Sequence, residues 1–258
     1  MVIPLVFASA PVSAIPRRSS YVVGISPNPP CRGARGAAMR TVDYRLNALV
    51  DAGLVETAPL AELARHAAEN GATLIQYRDK YAKTRQMIER AVDIRKALEP
   101  TGVPLVVNDR VDVALAADAA GVHLGADDME PETARRLLGP EAIIGLTVKN
   151  ASDGARAAAS PVDYACIGGV FHTLSKINAD PPVGVEGFRA LRRGLKSARP
   201  GLPVGAIAGI KLENVPELIA EGADGIAVIS AIFHAPDVGQ ATRDFRRAID
   251  MALANRAR

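Results

Sequence analysis

The chain has 258 residues, 48% of them apolar, with two cysteines and a formal charge of +3. That length bounds it to one large domain or two small ones, and no apolar run reaches the roughly 18–20 residues of a membrane-spanning helix. Residues 1–40 hold five arginines and no acid, which leaves −2 for residues 41–258, so no general affinity for nucleic-acid backbones is expected of the globular part.

The first 40 residues read as something apart. MVIPLVFASAPVSAIP has the apolar core of a secretion signal without a positive leader, and the Arg- and Ser-containing stretch behind it could equally be a transit peptide. A start placed upstream of the true one, at Met39, is the plainer reading. In each case residues 1–40 are expected to be an unfolded extension, with a single folded domain over 41–258 and no linker inside it. Cys31 and Cys166 have neither metal-ligand spacing nor a disulfide framework, which fits a reducing, cytoplasmic setting.

From residue 41 onward the text has a rhythm. Val- and Ile-rich runs fall at 46–51, 73–78, 104–108, 121–125, 142–147, 164–170, 203–208 and 225–230. Helical spacing fills intervals between them, at 60–70, 84–99, 131–139, 185–195, 213–222 and 238–253. Near-continuous apolar strands alternating with helices indicate a parallel sheet covered on both faces. Eight such units predict a single (β/α)8 TIM barrel. An open doubly wound sheet is the runner-up, but Asp51-Ala52-Gly53 after the first strand is not a dinucleotide-binding turn.

A barrel places its functional groups where strands end. Gln76, Arg78 and Lys80 alternate along strand 2, so all three face one way and can grip a phosphorylated ligand. Strand 1, ending at Asp51, says least. Asp109 and Asp128 end strands 3 and 4; each could cap the following helix, and together they suit Mg2+ on a diphosphate. Asp112 and Asp127 read as surface or capping acids, and His123 as a satisfied core histidine. Thr173, Ser175 and Lys176 lie on a long loop after Gly168-Gly169, read as a cover for substrate. Gly209 and Ile229-Ser230 end strands 7 and 8, where many barrels hold a phosphate. Two anion sites are therefore expected, a metal-assisted one at strands 2–6 and a simpler one at strands 7 and 8.

Over roughly residues 45–250 the chain resembles the thiamine phosphate synthase (thiamine-phosphate pyrophosphorylase) family. The matching pieces are Gln76-x-Arg78-x-Lys80, Asn108-Asp109, GVHLG with Asp128, GLT ending at Thr147, FHTLSK, AIAGI and GADGIAVISAI. The resemblance implies condensation of a hydroxymethylpyrimidine diphosphate with a thiazole phosphate, giving thiamine phosphate and pyrophosphate. It implies that Gln76, Arg78, Lys80, Asn108, Thr147 and Lys176 bind the pyrimidine diphosphate, with Arg78 and Lys176 assisting catalysis. Asp109 and Asp128 would hold Mg2+, while Thr173, Ser175, Gly209, Ile229 and Ser230 would hold the thiazole phosphate. Phosphorylated small molecules are the implied partners, without nucleic acid or membrane, and self-association is left open. No protein nucleophile is required. Ala208 stands where the family usually has glycine and would crowd the backbone beside the phosphate. Asn47 stands where strand 1 usually carries an aromatic, Ala126 replaces a frequent Gln, His172 a frequent Pro, and Ser175 a common Thr. The rival readings are a thiazole tautomerase-like isomerase of the same superfamily and a non-catalytic barrel that senses a thiamine precursor.

Overall fold

The computed structural model describes residues 42–55, 59–173 and 181–256. The expected extension over 1–40 lies outside them. In chain order the described elements are β1 (Leu46–Asp51), α1 (Leu60–Glu69), β2 (Leu74–Arg78), α2 (Thr84–Leu98), β3 (Leu105–Asn108), α3 (Val111–Ala116) and β4 (Gly121–Leu124). They continue with α4 (Pro131–Leu138), β5 (Ile143–Val148), α5 (Ala151–Ala159), β6 (Tyr164–Ile167), α6 (Gly184–Ala198) and β7 (Val204–Ile207). The last are α7 (Val215–Ala220), β8 (Gly225–Val228), α8 (Ser230–Phe233) and α9 (Val238–Arg256). The strands pair in parallel and in sequence order, and β1 pairs with β8 to close the barrel. This is the (β/α)8 architecture expected from the eight apolar runs.

The pleat divides each strand between two cores. One face of each strand packs against the helices in a continuous apolar layer that includes Ile75, Tyr77, Val107, Val122, Ile144, Ile167 and Ile226. The other face fills the barrel, where Tyr44, Leu49, Leu74, Val106, Ile143, Tyr164, Cys166 and Ala227 form a smaller cluster. Two tyrosines fit inside because glycines face them: a Cβ on Gly205 would lie 1.9 Å from the Tyr44 ring, and one on Gly145 2.1 Å from the Tyr164 ring. Residues at the C-terminal ends of the strands are thereby free to be polar. Strand β6 is shorter than the run at 164–170 suggested, because Gly168 and Gly169 already belong to the turn that follows. The unread helix α5, ASDGARAAA, starts where the Asn150 side chain accepts the Asp153 N–H at 2.9 Å. Among the described residues no helix is long and apolar enough to cross a membrane.

The β2–α2 loop is fixed from below by Asp79, whose side chain is buried. Its carboxylate accepts from the Tyr77 hydroxyl at 2.9 Å, from Arg90 at 2.6 Å, and from the N–H groups of Tyr81 at 3.0 Å and Ala82 at 2.9 Å. Burial raises the Asp79 pKa, but the two backbone donors, Tyr77 and Arg90 outweigh it and hold the group below the usual carboxylate value. Because the folded-state value is the lowered one, this stabilisation is present above the ordinary Asp value and is lost as pH falls through the folded one. Asp79→Ala leaves four donors without their acceptor and is expected to destabilise the fold by about 3 kcal/mol. Thermal unfolding should show a fall in Tm of roughly 6–12 °C.

Candidate active site

A cavity of about 820 Å3 opens at the C-terminal end of the barrel, within the roughly 300–1,000 Å3 typical of small-molecule sites. Strand β2 delivers Gln76 and Arg78 to it, and the loop beyond delivers Lys80. These are the three positions expected from the two-residue alternation. Asn108 and Asp109 from β3, His123 and Asp128 from β4 and its loop, and Thr147 from β5 line the same space. Thr173, Gly209, Ile229 and Ser230 line its other side. Every expected site residue within the described chain is thus brought to one cavity. Ser175 and Lys176 lie outside the described residues.

Asp109 and Asp128 converge. The N–H of Asp109 donates to His123 O at 2.8 Å, so the β3–β4 ladder runs on past the end of β3 and aims this residue. Its φ of 64° is in the left-handed region, which Asp tolerates better than most side chains and which clusters at functional positions. Neither acid caps a helix: the residues at the starts of α3 and α4 are Arg110 and Glu130, without side-chain capping bonds. Asp128 instead accepts the Gly125 N–H at 2.6 Å, closing its own turn, and its carboxyl lies against that of Asp109. Burial, then the adjoining Asp109 carboxyl, push the Asp128 carboxyl up to about 6, against the opposing pull of Gly125 N–H and Lys80. Lys80 Nζ donates to Asp109 Oδ2. Two neighbouring carboxyl groups whose charges oppose each other suit a divalent cation, which would offset their repulsion. No group of three His, Cys, Asp or Glu side chains suited to a metal occurs among the described residues, so substrate oxygens and water would complete such a site.

The end of β1 is more informative than its sequence suggested. Asp51 is 1% exposed; it accepts from Arg78 and, at 2.9 Å, from Gly53 N–H. Arg78 is thereby held with its guanidinium at the cavity rather than swinging free. Asp112 is an exposed partner of Arg110, as expected of a surface acid. Asp127 is exposed too, but on the cavity wall rather than at a helix start. His123 is a satisfied core histidine, as expected, with Nδ1 2.9 Å from the Tyr164 hydroxyl and Nε2 2.9 Å from Thr147 Oγ1. It therefore also orients Thr147. Lys149 lines the cavity as well, and its Thr147-x-Lys149 spacing repeats the alternation of Gln76-x-Arg78. That was a readable signal which the sequence reading passed over.

On the far side the chain after β6 folds back onto β7. Val170 N–H donates to Ile207 O at 3.2 Å and Phe171 N–H to Ala208 O at 3.0 Å. Gly209 has a φ of 64°, and a Cβ there would sit 2.2 Å from His172 O, so only glycine permits this approach. Ala208, in the place expected to crowd the backbone, has a φ of 92°. The departure from glycine thus shows itself as backbone strain. Ala208→Gly is expected to raise stability by about 1 kcal/mol, the relief of strain exceeding the added flexibility of the unfolded chain. Calorimetry should find Tm higher by roughly 2–4 °C.

A closed parallel barrel with cations, paired carboxylates and glycine turns gathered at the C-terminal strand ends is the layout of a barrel enzyme acting on phosphorylated small molecules. The family model described as thiamine monophosphate synthase matches residues 46–232, and the chain belongs to that family. A thiamine-phosphate synthase of Agrobacterium fabrum is 66% identical over 84% of this chain and 99% of its own length. One of Chloroflexus aurantiacus is 43% identical over 81% of this chain and 94% of its own. The solved thiamine phosphate pyrophosphorylase of Pyrococcus furiosus superposes with a TM-score of 0.71 at 37% identity, covering 83% of this chain and 98% of that one. Membership makes the chain a transferase of thiamine biosynthesis.

Proposed function

We propose that the cavity joins 4-amino-2-methyl-5-(diphosphooxymethyl)pyrimidine to a thiazole phosphate, of the carboxythiazole or hydroxyethylthiazole type, releasing pyrophosphate and, where the thiazole carries a carboxylate, carbon dioxide as well. The observation that carries this reading is the meeting of Asp109, Asp128 and Lys80 beside Arg78. A diphosphate needs charge compensation from several sides, and that corner offers two cations and a carboxylate pair. Mg2+ held by Asp109 and Asp128 would neutralise charge on the diphosphate oxygens.

The pyrimidine ring, with its amino group, stabilises a cation at the exocyclic methylene. The methylene C–O bond breaks with its electron pair leaving on the diphosphate, and the thiazole nitrogen donates its own pair to form the new C–N bond. Arg78, Lys80 and Lys176 hold the departing charge, and Gln76, Asn108 and Thr147 bind and orient the pyrimidine diphosphate. Thr173, Ser175, Gly209, Ile229 and Ser230 anchor the thiazole phosphate, so that its ring nitrogen waits near the methylene carbon. No side chain is required as a nucleophile, and Cys166 is unsuited to be one: burial pushes its thiol up to about 12. The setting that fits this chemistry is the cytoplasm.

Purified protein given both substrates and Mg2+ is expected to release pyrophosphate and form thiamine phosphate in equal amounts. Binding of both substrates without release would instead mark a sensor of thiamine precursors, and conversion of a thiazole phosphate alone would mark an isomerase.

A further inference from the structure

The floor of the cavity holds polar atoms that the protein does not satisfy. Asn47 lies on the inner face of β1, between Leu74 of β2 and Ala227 of β8 in register. It is 0% exposed, and neither its Oδ1 nor its Nδ2 has a hydrogen-bond partner. The Tyr44 hydroxyl lies beside both Asn47 and Cys166 and interacts with them electrostatically, yet neither it nor the Asn47 amide meets hydrogen-bonding geometry. On the neighbouring strand, two residues further along, Gln76 Oε1 is buried and unpaired as well. Both amides line the cavity. Protein interiors satisfy the large majority of such atoms, and each one left over destabilises the fold. Of the four, the Tyr44 hydroxyl does not line the cavity, and the three on the amides of Asn47 and Gln76, which do, point to a ligand that completes them.

We propose that Asn47 is a specificity-determining residue, reading the amine and the adjacent ring nitrogen of an aminopyrimidine at the floor of the cavity. The inference rests on the proposed reaction for the presence of such a ring, and goes beyond it in assigning the contact. The unmet groups on the residues that line the cavity are two acceptors, Asn47 Oδ1 and Gln76 Oε1, and one amide donor, Asn47 Nδ2. A primary amine on a heteroaromatic ring offers two N–H donors beside one ring-nitrogen acceptor, and the two sets are complementary. Leu49, Cys166 and Ala227 supply apolar wall around them. His123 does not compete for the ring, since both its nitrogens are engaged by Tyr164 and Thr147. With the ring seated low, its diphosphate arm rises toward Arg78, Lys80 and the two carboxylates at the strand ends.

The test is calorimetric binding of the aminopyrimidine diphosphate and of its analogue with hydrogen in place of the amine, both with Mg2+, to the wild type and to Asn47→Leu. The wild type should favour the amine by at least about 100-fold, since a site built to bond a group rejects the ligand lacking it. Asn47→Leu should weaken aminopyrimidine binding about tenfold and shrink that preference by the same factor. Affinity for the thiazole phosphate should stay unchanged, and Tm should equal or exceed that of the wild type because buried unpaired atoms are gone. Asn47→Ala provides the same binding readout should leucine disturb folding. An undiminished preference for the amine in either variant, or equal losses for both substrates, overturns the assignment. A wild type that does not bind the aminopyrimidine diphosphate at all would instead overturn the proposed reaction.

Discussion

Asp128→Ala is expected to lower pyrophosphate release at saturating substrates by about 100-fold, a rise in the barrier on the order of 3 kcal/mol. The carboxyl lies against Asp109 in a partly buried corner, where a cation bound between the two is poorly screened by water. The variant also loses the bond to Gly125 N–H, so stability and charge change together. Asp128→Asn separates them, because its amide oxygen can still accept from Gly125 while the charge is gone. Both variants should bind Mg2+ more weakly by calorimetry in the presence of the pyrimidine diphosphate, and raised Mg2+ should restore part of the rate. If Asp128→Asn turns over like the wild type, Asp128 does nothing more than close its turn.

Asp51→Ala is expected to destabilise the protein by about 3 kcal/mol and to weaken binding of the pyrimidine diphosphate at least tenfold. The Asp51 side chain is 2% exposed and that of Arg78 15%, so its loss leaves a guanidinium with little water and no counter-charge. The Gly53 N–H loses its acceptor at the same time. Arg78 should then find other carboxylates or solvent and leave its aim on the diphosphate. The readouts are Tm and the separation of KM from kcat. KM for the pyrimidine diphosphate should rise while KM for the thiazole phosphate holds. Equal changes in both would make the pair a purely structural one.

Legibility differed between features of the site. The trio Gln76, Arg78 and Lys80 was readable because alternation is a local rule, and a strand of any fold would put them on one face. Asp109 and Asp128 stayed ambiguous because an acid before a helix looks the same whether it caps or converges. The turn that Asp128 closes with Gly125 N–H beside Asp109, and the absence of side-chain capping bonds at the starts of α3 and α4, decide it. Asp51 was passed over because its importance lies wholly in its partner, 27 residues away on the next strand. Asn47 was visible only as a departure from a family habit. That its amide is unpaired could not be known until the neighbours on β2 and β8 were in place.

The sequence by itself determined the count of eight units, the parallel sheet and the face each residue of a strand would present, since pleat and helical period act within a few residues. It also determined which chemical groups reach the strand ends. Register and closure were decided by the tertiary structure. The register of β1 on β2 brings Asp51 to Arg78, and the pairing of β1 with β8 closes the circle so that Asn47 opens onto the floor near Gln76. Ala208 takes a φ of 92° where the chain after β6 bonds to it. Those outcomes depend on contacts between distant segments, whose geometry no local pattern carries.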